Sequence, residues 1–137
     1  MVVTEDIVTQ LVAGGVGVAG EIIGTKVTPP EGTIFENTMP GQPDDCVSVF
    51  AYGGIAPSVN WEGEFPNVQV RVRAMDHDDA YDKAYLVMTT LHKLVRTTIN
   101  GTLYYWIAAK QSPASLGRDA KGRHLYVVNF DVIKEME

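Results

Sequence analysis

Residues 68–74 read Val68-Gln69-Val70-Arg71-Val72-Arg73-Ala74, an unbroken alternation of apolar and polar side chains. Successive side chains of a strand point to opposite faces, so this run predicts a strand with one apolar face and one polar, basic face. The apolar face needs a cover, and the residues that follow offer one. Asp76 or Asp78 is placed to cap a helix, and Tyr81, Ala84, Tyr85, Met88, Leu91 and Val95 then recur at three- and four-residue spacing. The spacing predicts a helix over about 77–95, packed on the sheet that holds the strand.

Further strands are legible on both sides. Asn100-Gly101 separates Thr97-Thr98-Ile99 from the β-prone Thr102–Ile107 run. Asn-Gly is the strongest short hairpin signal, because both central residues of the turn need positive φ. Strands over 97–99 and 102–110 follow from it. Cys46–Tyr52 is short, apolar and β-prone and predicts a strand over 46–52. Tyr126, Val128, Phe130 and Val132 share one face of a strand over 124–132. Ile34-Phe35 is a short apolar piece.

At the amino end, Thr4 followed by Glu5 and Asp6 reads as an N-cap with acids in the first turn. Ile7, Leu11 and Val18 extend a loose stripe, so a helix is expected over about 4–20. Gly14, Gly15, Gly17 and Gly20 each weaken it by about 1 kcal/mol, which makes the helix short or very closely packed. The order of elements predicts an α+β fold. It has an antiparallel or mixed sheet of about four to five strands with two helices packed on it. The 137 residues form one domain, 1–137, with no repeat and no linker.

The loops carry their own signals. Residues 37–45 are rich in turn formers. Residues 53–67 form a long loop that holds Trp61 and Phe65, and aromatic residues there suggest contact with a partner. Residues 111–123 form a polar loop with three bases and one acid.

Charge narrows the function. The chain carries a net −6 and a pI near 5.0, a poor basis for gripping a phosphate backbone. Residues 1–66 hold nine acids against one base, whereas residues 67–137 hold eight acids against ten bases. Such two-ended chains often meet a partner, or another copy, through unlike surfaces. No apolar run approaches the ~20 residues that span a bilayer. The start, Met1-Val2-Val3-Thr4-Glu5-Asp6, lacks the basic segment of a secretion signal, so the protein is expected to begin in the cytoplasm. The single Cys46 reads as a small buried hydrophobe.

Catalytic and metal signals are weak. Gly15-Val16-Gly17-Val18-Ala19-Gly20 matches G-x-G-x-x-G, but a dinucleotide site needs a strand before it and a helix after it. Asp76, Asp78, Asp79 and Asp82 could face a hard cation, yet Tyr81 stands where an EF-hand needs Gly. Acids at a helix N-terminus are the simpler account. His92 and His124 have no second ligand at metal spacing, and Ser112 and Ser115 lack a nucleophile elbow. The expectation is no enzyme, no metal and no cofactor.

Met39-Pro40-Gly41-Gln42-Pro43-Asp44-Asp45-Cys46-Val47, followed by Tyr52-Gly53-Gly54, resembles the start of the tailed-bacteriophage minor capsid and tail-terminator (tail completion) family. Asn67–Ala74, Thr98–Thr102, Gln111-Ser112-Pro113, Leu116-Gly117-Arg118-Asp119 and Gly122-Arg123-His124 are similar to it in the same order. The likeness covers about residues 33–132 and leaves the glycine-rich stretch outside.

The resemblance implies a small tail-terminator-like subunit that forms a hexameric ring on the head-proximal end of a siphophage tail tube. Such a ring stops tube polymerisation and gives the head a joining surface. Its implied partners are further copies of itself, the major tail tube protein and the head connector protein. DNA would pass through the lumen without specific binding, past acidic residues that repel it. No membrane is implied. The implied place is the tail and neck of the virion, assembled in the host cytoplasm. The alternatives are another head-tail connector or head-completion protein, or a cellular enzyme or small-molecule-binding domain.

Ring subunits meet through unlike patches, which an acidic half and a basic half would suit. The candidate contact residues are Arg71 and Arg73 on the basic strand face, Trp61 and Phe65 in the aromatic loop, and Arg118, Lys121 and Arg123 in the basic loop.

Overall fold

The alternating run lies in β5 (Gly63–Ala74), near the middle of a curled, mixed sheet of seven strands. The computed structural model describes residues 2–57 and 59–136. Across the sheet the order is β3 (Ile34–Glu36), β4 (Cys46–Ile55), β5, β9 (His124–Glu135), β7 (Thr102–Ala109) and β6 (Leu94–Ile99). β3 runs parallel to β4 and the other pairs are antiparallel. β9 is the spine. One edge pairs with β5 along its length, and the other pairs first with β8 (Ala114–Arg118) and then with β7. A separate hairpin, β1 (Glu21–Ile23) with β2 (Lys26–Thr28), stands apart from this sheet.

Register builds the core. Val47, Val72 and Tyr126 form one row across three strands, and Val49, Val70 and Val128 form the next. These side chains are buried under α1 (Val3–Ala13) and α2 (His77–Leu91). Full burial of a valine-sized side chain stabilises by roughly 1.5–3 kcal/mol. Asp76 caps α2 by accepting from the Asp79 N–H at 3.2 Å. The β6–β7 turn has positive φ at both Asn100 (50°) and Gly101 (83°), as the Asn-Gly signal requires. That turn is tied to α1: buried Asp6 accepts from Tyr104 Oη at 2.6 Å and from Asn100 Nδ2 at 2.9 Å.

The α+β class with two helices is borne out, but four to five strands is too few. The extra strands are short or carry turn residues. β8 lies inside the basic loop, where Ser115, Gly117 and Arg118 show no apolar alternation. It forms because its backbone pairs with β9. The 53–67 loop shrinks to 56–62, because β4 continues to Ile55 and β5 starts at Gly63. The strand expected at 97–99 begins at Leu94, and the last strand continues to Glu135.

Both helices are shorter than expected. α1 stops at Ala13, and Val2 rather than Thr4 is its N-cap. The Thr4 hydroxyl is occupied elsewhere, donating to Glu36 Oε1 at 2.7 Å. The glycines that follow are used for close approach in an extended segment. A Cβ on Gly20 would lie 3.0 Å from Gly32 Cα, and one on Gly32 would lie 2.7 Å from Gly20 Cα. α2 ends at Leu91, and its buried stripe is Ala80, Ala84, Val87 and Leu91. Two alanines let the helix lie close to the sheet. Tyr81 and Tyr85 are too bulky for that seam and stay exposed at its edge, where Tyr81 meets Tyr126 edge-on.

Candidate assembly surface

Segments that are distant in sequence meet at one end of the sheet, where β4 begins, β5 ends and the β8–β9 hairpin turns. The 40–45 loop offers backbone carbonyls there, and two arginines bind them. Arg73, at the end of β5, donates from Nη2 to Pro40 O at 2.6 Å and to Pro43 O at 2.7 Å, and from Nε to Asp44 O at 3.0 Å. Arg123, at the hairpin turn, donates from Nη1 to Gly41 O at 2.6 Å and to Asp44 Oδ1 at 3.2 Å. Its Nε donates to Asp119 Oδ2 at 2.8 Å. The two guanidinium groups clamp one loop between two strands. Fixed carbonyls suit Arg because its planar fork presents several donors in one geometry.

Asp119 organises the turn itself. Its Oδ1 accepts from the Lys121 and Arg123 N–H groups, each at 3.0 Å. Desolvation pushes its carboxyl up, but the bonds from Arg123 and Lys121 outweigh this and hold it below its ordinary 3.8. Arg123 responds oppositely: desolvation lowers its pKa, and the bonds and charges of Asp119 and Asp44 outweigh this and raise it above the usual guanidinium value.

The clamp divides the sequence-based contact residues. Arg73 and Arg123 are 4% and 6% exposed, so these two cations face inward and hold the subunit together. The expectation of one uniformly basic face on β5 is corrected by Arg73, which the 40–45 loop covers. Arg71 is exposed, with its guanidinium carbon 5.4 Å from the Phe50 ring centroid and Nε bonded to Gln69 Oε1 at 2.7 Å. Arg118 and Lys121 are exposed at the hairpin tip. Trp61 and Phe65 lie at the far end of β5. Trp61 is 44% exposed and meets Phe65 and Tyr105 edge-on, at 5.9 and 5.5 Å between centroids.

Phe65 also belongs to an apolar band on the sheet face that the helices leave open. Ile55 pairs with Phe65, and Ile133 pairs with Trp106, which pairs with Val95. Ile55, Trp106 and Val95 are exposed. Sequence reasoning missed Trp106. The consecutive aromatics Tyr104-Tyr105-Trp106 were the available signal, because a strand cannot bury all three on one face. It also missed Lys134, which is 2% exposed and donates to Glu64 Oε1 at 2.6 Å.

Three of the remaining polar candidates, His92, Ser115 and His124, have structural partners. His92 Nδ1 accepts from the Ala109 N–H at 3.0 Å, and Ser115 Oγ accepts from the Gly117 N–H at 3.1 Å. His124 packs edge-on against His77, which shares a 2.7 Å hydrogen bond with Tyr126 Oη. The 15–20 glycine segment follows a helix and leads to a bridge between Ala19 and Ile34, which is not the strand-turn-helix of a dinucleotide site. Cys46 is buried, and burial pushes its thiol above 9.0 against the opposing pull of Arg73 and Arg123.

No curated protein matches the chain. The family model described as bacteriophage tail terminator protein matches residues 11–136, which spans the clamp, the hairpin and the whole sheet; the chain belongs to that family, which is structural rather than enzymatic.

Proposed function

We propose that this subunit forms a hexameric ring that caps a phage tail tube, ends tube growth and provides the surface that the head connector meets. Family membership makes it a structural component of a phage tail that associates with other tail and head parts. The observation that carries the finer reading is the clamp. It holds a hairpin tip with two exposed cations, Arg118 and Lys121, on a chain of net charge −6 that carries exposed acids elsewhere on its surface. A ring repeats one contact between unlike patches, and this asymmetry supplies them. Arg71, Trp61 and Phe65 are further contacts to the tube or the connector. Arg73 and Arg123 act indirectly, by fixing the hairpin. Acids of the amino-terminal half face a lumen through which DNA passes without being held.

The test reverses the exposed cations and spares the buried one. An Arg118→Glu, Lys121→Glu variant is expected to keep its circular dichroism spectrum and melting temperature but to leave tail ends uncapped in negative-stain images. Normal capping and head joining by that variant would refute the assignment of the hairpin.

A further inference from the structure

A cleft of about 430 Å³ opens between α2, the segment after α1 and the start of β4. Val16, Val47 and Leu86 supply apolar wall, and the exposed acids Asp45, Asp79 and Asp82 also line it. Its two cations are turned to internal bonds. Lys83 Nζ donates to Val16 O at 2.7 Å, and Arg73 is held in the clamp. Among the described residues no cation forms an ion pair with Asp79 or Asp82.

The β8–β9 hairpin is the counterpart in charge and carries an exposed apolar side chain. Leu116 is 50% exposed on β8, and the exposed Arg118 and Lys121 follow it toward the hairpin tip. Among the described residues no strand pairs with the outer edge of β8, so its backbone groups on that side face outward. One register row fixes the geometry. Cys46, beside the cleft, pairs with Arg73; Arg73 pairs with Leu125; Leu125 pairs with Gly117. Three strand spacings of about 4.8 Å therefore separate the two sides of the sheet, roughly 14 Å. Cleft and hairpin lie at the same level on opposite sides, so a subunit cannot fill its own cleft. A neighbour placed edge to edge can.

We infer that the cleft receives the β8–β9 hairpin of a second copy, with Leu116 against the apolar wall and Arg118 and Lys121 against Asp79 and Asp82. The inference rests on the ring reading and names its contact. Because each subunit carries both halves, the contact is heterologous and repeats until the ring closes. Burial of a leucine supplies affinity, and the opposite charges set the register and disfavour the reverse orientation.

Disulfide trapping tests it on the full chain. In a Cys46→Ala background, Leu86→Cys combined with Leu116→Cys is expected to give a ladder of linked oligomers under mild oxidation, whereas neither single cysteine variant gives one. In sedimentation, Arg118→Glu with Lys121→Glu should weaken self-association by roughly tenfold or more, and adding Asp79→Lys with Asp82→Lys should restore it. Circular dichroism checks that each variant is folded. Rings on tail ends without a ladder, and without rescue by the charge swap, overturn this contact and leave the ring reading standing. No self-association and no rings under any condition overturn both.

Discussion

Replacement of Arg73 by Met tests whether the clamp holds this end of the subunit. Arg73 is almost fully buried and makes three hydrogen bonds to carbonyls of one loop, at 2.6, 2.7 and 3.0 Å. Met keeps much of the apolar stem and removes every donor. A hydrogen bond to a charged group contributes about 1.5–3 kcal/mol. Three bonds from one guanidinium do not add, and the loop carbonyls can turn toward water because Gly41 and Gln42 are exposed. The expected loss is therefore near that of one to two full bonds, about 3 kcal/mol. For a domain of this size it lowers Tm by roughly 10–15 °C. Calorimetry is the assay, with Arg71→Met as the control two residues away on the exposed position, expected within about 0.5 kcal/mol of the parent. Equal melting of the two variants would refute the reasoning. A double-mutant cycle with Arg123→Met adds a second check, because both arginines hold the same loop and their effects should couple.

Three further outcomes follow from particular contacts. Gly54→Ala would place a Cβ 1.8 Å from Phe65 O, so it should force apart the end of the β4–β5 hairpin and destabilise by about 2 kcal/mol, visible as faster amide exchange there than in β9. Tyr104→Phe leaves the buried Asp6 carboxylate with one donor fewer and should cost about 2 kcal/mol in urea unfolding, while Asn100 still contributes its own bond. Cys46 should react with a thiol reagent at pH 8 far more slowly in the native chain than in urea. Because its native pKa is raised, stability should hold below 9.0 and fall as pH rises past it, where the unfolded chain ionises first.

What the sequence disclosed followed the strength of side-chain periodicity. The alternation at 68–74, the Asn100-Gly101 turn and the stripe in 125–132 each placed an element, because burial on one face selects apolar residues at fixed spacing. β8 left no such mark. Its pairing is made by backbone groups, its outer side is open, and the exposed Ser115 and Leu116 were under no demand to alternate. On α2 the expected stripe matches the buried one at Ala84 and Leu91, but Ala80 and Val87 are buried instead of Tyr81 and Met88, because close packing favours small side chains over large apolar ones. Trp61 and Phe65 were recognisable as aromatic residues without core duty. Arg71, Arg118 and Lys121 could not be told from Arg73 and Arg123, because composition gives the charge of a residue and not the direction it faces.

That last distinction bears on how the proposed ring would keep its contacts apart. Buried arginines at the same end as exposed ones spend their charge on carbonyls of the chain itself, so they cannot compete for an acidic neighbour. The clamp therefore does two things at once. It stiffens the hairpin, which would lower the conformational entropy lost in the proposed docking of two copies. It also leaves Arg118 and Lys121 exposed at the tip, so in the proposed contact orientation would depend on a small number of charges at defined positions. A clamp-loosening variant such as Arg73→Met should then weaken association more than its distance from the proposed contact suggests. If Arg73→Met subunits, folded below their Tm, associate as tightly as the parent, the clamp serves stability alone.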